Sequence, residues 1–88
     1  MSLISARQLS KQLESIAANH PFQPVQEGIA ISFNLVLSEA KKDLPDSPIV
    51  HAVQEANKDT RFADLSIRAG LIATAYEEKE GDVSLSIL

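Results

Sequence analysis

No cysteine occurs among the 88 residues, and that absence excludes disulfides, thiolate zinc sites, iron–sulfur clusters and a cysteine nucleophile together. Tryptophan is missing as well, and the aromatics are Phe22, Phe33, Phe62 and Tyr76, so the core has to be built from aliphatic side chains. Glycine is scarce, at three residues. Neither a Gly-rich phosphate loop nor a Gly-x-Ser-x-Gly elbow can be written, and a His-Glu-x-x-His helix is absent. No segment approaches the roughly 18 consecutive apolar residues of a membrane span. The N-terminal residues lack the basic stretch and long apolar run of a secretory leader, which points to a cytoplasmic protein with no membrane partner.

There is also no excess of positive charge. The formal net charge is −4. Arg7, Lys11, Lys41 and Lys42 balance Glu14, Glu27, Glu39 and Asp43 in the first half, so the whole excess lies in the second. Four of its carboxylates are clustered as Glu77, Glu78, Glu80 and Asp82. Nucleic acid and anionic membranes are disfavoured by this balance, and a basic protein surface is the complementary partner. Arg7 and Lys11, one helical turn apart, are too few to form a phosphate-binding footprint.

What is present suits one small domain spanning residues 1–88. Apolar residues make up 44% of the chain. A domain of this size buries only about 60–65% of its unfolded surface and has roughly 5 kcal/mol to spare, so burial against a second copy or another protein is a useful supplement.

Four segments read as helices. Ser5 and Gln8 have the spacing of a capping box, with Ile4 and Leu9 placed as a hydrophobic staple, and Leu9, Leu13 and Ile16 continue a helix over 5–18 until Asn19-His20-Pro21 stops it. The second opens with Pro24 in its first turn and carries Val25, Ile29, Phe33, Val36/Leu37 and Ala40 as a stripe. Ile31 and Leu35 widen that stripe until the helix is nearly all buried. In the linker 44–48, Ser47 is a cap and Pro48 the first position of a third helix, carrying Ile49, Val53 and Ala56 to about Asn57. After a turn at 57–60, with Asp59 or Thr60 as cap, Phe62, Leu65, Ala69, Ile72 and Tyr76 form the seam of a fourth helix, flanked by Ile67, Leu71 and Ala75. Gly70 interrupts it at a cost of about 1 kcal/mol, often accepted where helices approach closely. Gly81 is the expected stop.

Residues 29–37 also alternate apolar and polar, as do 83–87, which is how half-buried strands are written. The expected fold is all-α, a compact four-helix antiparallel bundle with an extended C-terminal tail. The alternative is α+β, with an antiparallel sheet from 28–38, 62–76 and 83–88. A faint echo, Ala17-Ala18-Asn19 before Phe22 and Glu55-Ala56-Asn57 before Phe62, has the offset of a two-helix repeat, near 40 residues.

For function, His51, Glu55 and Asp59 are spaced by four and would share a helix face, but ligands from one element do not make a metal site, and a solvated polar face is the simpler reading. No catalytic residues, metal or cofactor are expected. The broad apolar faces of the second and fourth segments point instead to a self-associating interaction or adaptor module, a homodimer or a complex with another protein, whose interface includes Ile31, Leu35, Ile67 and Leu71. Two alternatives remain: an acidic inhibitor using Glu77, Glu78, Glu80 and Asp82 against a basic target, or a small ligand binder with its site at a dimer interface.

Overall fold

The computed structural model describes the backbone of residues 3–87 and the side chains of residues 5–79. Its order is α1 (Leu3–Asn19), α2 (Glu27–Asp43), α3 (Pro48–Ala52) and α4 (Phe62–Ile87). Among the described residues there is no strand, only an isolated antiparallel bridge between Pro24 and Arg61, so the fold is all-α. The α+β alternative is overturned: 28–38 and 62–76 lie inside α2 and α4.

The apolar spacing explains what each helix buries. In α1, Ala6 and Leu13 are buried and Leu9 and Ala17 pack at the core's edge. In α2 the buried stripe is Ala30, Phe33, Leu37 and Ala40, with Ile29 and Val36 half-buried beside it. All five seam residues of α4, Phe62, Leu65, Ala69, Ile72 and Tyr76, are buried. At about 1.5 Å per residue the 26 residues of α4 span about 39 Å, nearly the whole 43 Å long axis, so α4 is the spine on which the others pack.

The three long helices run in the directions that an antiparallel alternation gives to the first, second and fourth of four segments. Arg7 pairs with Glu77, and Ser10 faces Gly70, so α1 runs opposite to α4. Accordingly, α2 and α4, with one short element between them, run the same way. Their entrances are tied by Val25 N–H to the Thr60 carbonyl (2.7 Å), while Tyr76 and Lys79 of α4 reach Asp43 at the end of α2. The return that makes this possible is the segment 53–61, which is not helical.

Here α3 is shorter than its sequence suggests, stopping at Ala52 instead of about Asn57. The cause is Asn34 on α2. Its side-chain amide donates to the Ala56 carbonyl (2.9 Å), and its Oδ1 accepts the Ala56 N–H (2.7 Å), so both main-chain groups that a longer helix would use are taken. Val53 and Ala56 are still buried, but from non-helical backbone. The start of α3 is as expected: Ser47 Oγ accepts the Val50 N–H (3.3 Å), and Pro48 takes the first turn, where a missing N–H costs nothing.

Other boundaries move for similar reasons. Pro24 precedes α2 instead of opening it, because Gln23 and Val25 are committed to pairing with residues 60–62. That pairing also caps α4: the first N–H groups of any helix lack internal partners, and those of Phe62 and Ala63 find the Gln23 and Pro21 carbonyls (3.1 and 2.9 Å). Thr60 and Asn57 build the preceding turn, Thr60 Oγ1 accepting the Asn57 N–H and Asn57 Oδ1 the Asp59 N–H. α1 begins two residues before Ser5, which therefore lies inside the first turn and not at the cap, a shift within the usual scatter of helix ends. The Ile4 side chain of the expected staple is outside the described set. Instead of stopping at Gly81 and leaving an extended tail, α4 continues through Ile87. The preceding Glu77, Glu78, Lys79 and Glu80 are good helix formers, and one glycine without a following proline costs too little to end a helix.

Candidate functional site

With the core closed, several large apolar side chains still face solvent: Phe22 (78% exposed), Leu35 (64%), Ile67 (62%), Ile31 (54%), Leu71 (40%) and Ile16 (37%). The expectation that Ile31 and Leu35 would complete a nearly buried α2 fails, because the inward stripe fills the space available to one chain and leaves the opposite side of the helix uncovered.

Ile67 and Leu71, one turn apart on α4, line an open groove between α4 and α1 of about 520 Å³. Its floor is made of small residues, Ser10, Gly70 and Ala73. Its far wall is Arg7, Lys11 and Glu14. The Arg7 guanidinium donates to Glu77 at 2.9 Å, an exposed pair worth about 0–1 kcal/mol that closes one end of the groove. Ile31 lines a different groove, between α2 and residues 56–58, with Leu35 exposed one turn further on. The two aliphatic pairs expected at the interface are thus both on the surface, on separate faces.

The acidic cluster is less uniform than its sequence. Glu77 is engaged by Arg7. Glu78 lines a groove with Asp43, Asp46 and Lys79, the ammonium of Lys79 donating to the Asp43 carbonyl at the end of α2 (3.3 Å). The side chains of Glu80 and Asp82 are outside the described set.

Tyr76 reaches the same end of α2, its hydroxyl donating to Asp43 Oδ2 at 2.6 Å. Burial and the adjacent Asp43 carboxylate push the phenol well above its ordinary range. His51 and Glu55 share no helix face, since α3 ends between them; His51 Nε2 lies against the Pro45 carbonyl. Among the described residues no group of three His, Cys, Asp or Glu is placed to hold a metal ion. Nor is any helix long and apolar enough to cross a membrane.

Phe22 is the residue that sequence reasoning missed. In the sequence it mirrors Phe62 across the faint repeat, yet Phe62 is buried and Phe22 is the most exposed large apolar residue among those described. Its loop is held by main-chain bonds on both sides, from Gln23 N–H to His20 and from Ala63 N–H to Pro21, and Arg61 donates to the Phe22 carbonyl. The only available signal was its setting between Pro21 and Pro24, which favours a stiff loop over a core position.

No protein-family model, no curated protein and no solved structure matches the chain.

Proposed function

We propose that the chain is a non-catalytic interaction module of the cytoplasm that associates with itself through its exposed aliphatic surface. What carries the reading is the position of Ile31, Leu35, Ile67 and Leu71, all large, apolar and 40–64% exposed on helices whose inward stripes are already packed. Large apolar side chains exposed side by side, as in each of these two pairs, are the kind of surface that marks an interaction site. Each pair is spaced by four on a rigid helix, so neither needs ordering before it docks. The acidic-inhibitor reading is weaker, because Arg7 already neutralises Glu77 and Lys79 adds a cation to the same region.

The test is the solution mass by size-exclusion chromatography with light scattering over about a tenfold range of concentration. A dimer or larger species that gives way to monomer on dilution is expected. Leu35→Asp and Leu71→Asp assign the contact, since an aspartate buried at an interface without a partner is costly. A monomer at every concentration refutes self-association.

A further inference from the structure

We infer that the partner is a second copy of this chain, docked face to face on the α1/α4 groove about a two-fold axis that crosses both helices at right angles. The inference rests on the self-association reading and adds to it the face, the symmetry and the charge pairs.

The groove is patterned to match itself when turned end for end. A two-fold contact brings each residue opposite a different residue of the same patch, so a self-complementary patch must place unlike charges and like apolar groups symmetrically about one point. On α1 the charged residues nearest the centre of the groove are Lys11 and Glu14, of opposite sign and both exposed. On α4 the apolar residues are Ile67 and Leu71. Arg7 lies beside Glu77 and Ser10 beside Gly70, which puts the midpoint of Lys11 and Glu14 level with the midpoint of Ile67 and Leu71 to within about half a helical turn. One axis through that level sets Lys11 against the partner's Glu14 and Ile67 against the partner's Leu71, each twice. It also sets the exposed Asp64 against the partner's Thr74, an uncharged residue, so no like charges meet.

The other two-fold available to a flat face runs along the helices, and it is worse. It would put α1 over the partner's α4, with Lys11 and Glu14 against Leu71 and Ile67, removing both charges from water without a counter-charge. Within the described residues no ion pair engages Lys11 or Glu14, so both are available to a partner. The small residues on the floor let a facing helix settle deeper than it could over a row of larger side chains.

The experiment uses the full chain and three variants, Lys11→Glu, Glu14→Lys and the double exchange, with sedimentation or light scattering as readout and circular dichroism as a check on folding. Both positions are exposed and both residues are good helix formers, so the fold is expected to be unchanged. Each single variant replaces two attractive pairs by two repulsive ones and is expected to raise the dimer dissociation constant by about tenfold or more at low salt. An equimolar mixture of the two single variants is expected to recover wild-type affinity. In the mixed dimer one protomer presents carboxylates at both positions and the other presents ammonium groups at both, so each cross-pair is attractive again. The double exchange is expected to dimerise like the wild type. If the chain dimerises but is indifferent to the single changes, or the mixture does no better than its components, the symmetric docking is wrong while self-association stands. If the wild type is monomeric throughout, both readings fall.

Discussion

Asn34 holds the chain that follows α3 through two hydrogen bonds to a single residue. It sits in an otherwise apolar stretch of α2 and acts as a piece of β-ladder for Ala56, giving one bond and taking one. Replacing it by alanine strands the N–H and carbonyl of a residue that is 7% exposed, so Asn34→Ala is expected to lower stability by about 1–3 kcal/mol in urea denaturation. Asn34→Asp keeps the acceptor but turns a carboxylate oxygen toward the Ala56 carbonyl and should also destabilise; stability equal to wild type for both would remove Asn34 from this role. Tyr76 makes a prediction in pH. Its phenol is held protonated in the folded state by burial and by Asp43, while in the unfolded chain it ionises near pH 10. Its contribution is therefore complete below about pH 10 and is lost as the pH climbs from there toward the higher folded value. Thermal melts between pH 8 and about 11 should show this decline, and Tyr76→Phe should be less stable at pH 8 and show less of it.

At the scale of elements, the clearest test concerns Gly70. Proximity of α1 is the natural explanation for a glycine in the middle of α4, but a Cβ there would meet only the Ser10 hydroxyl, at an ordinary 3.8 Å. Gly70→Ala is thus expected to stabilise the chain by up to about 1 kcal/mol through helix propensity, read as a rise in melting temperature, and a fall would mean that the helices are closer than this geometry allows. Elsewhere the helices differ in how far their own residues announce them. Residues repeating at three and four, such as Phe62 to Tyr76, announced both their helix and its buried face. Residues 29–37 satisfied two periods at once, and period two lost because residues 21–25 and 60–63 pair only across a single bridge, offering no sheet edge to join. The end of α3 was illegible because it is set by Asn34, 22 residues away from Ala56. On the surface, Ile31, Leu35, Ile67 and Leu71 stand out as surplus to the core, whereas the separation of the two pairs depends on which segments pack beside α2 and α4, which no local pattern encodes.

For the whole molecule, the two aliphatic pairs make distinguishable demands. If the α1/α4 face is the contact between copies, Leu71→Asp should abolish the dimer and Leu35→Asp should leave its dissociation constant within about twofold of wild type. Neither change should lower the melting temperature of the monomer by more than a few degrees, since both side chains are exposed and lie outside the core. The ranking of the two variants by light scattering decides which face is in use.

The packing of α1 on α4 also sets a timetable. Arg7 and Glu77 are 70 residues apart in the chain, and the groove they close joins the first helix to the last. On a ribosome adding about 5–20 residues per second, Glu77 is joined to the chain about 4–14 seconds after Arg7, so α1 is made well before the surface that covers Ala6 and Leu13. Throughout that interval the apolar stripe of α1 has no α4 to pack against, and the first helix can be buried only once the last has been made.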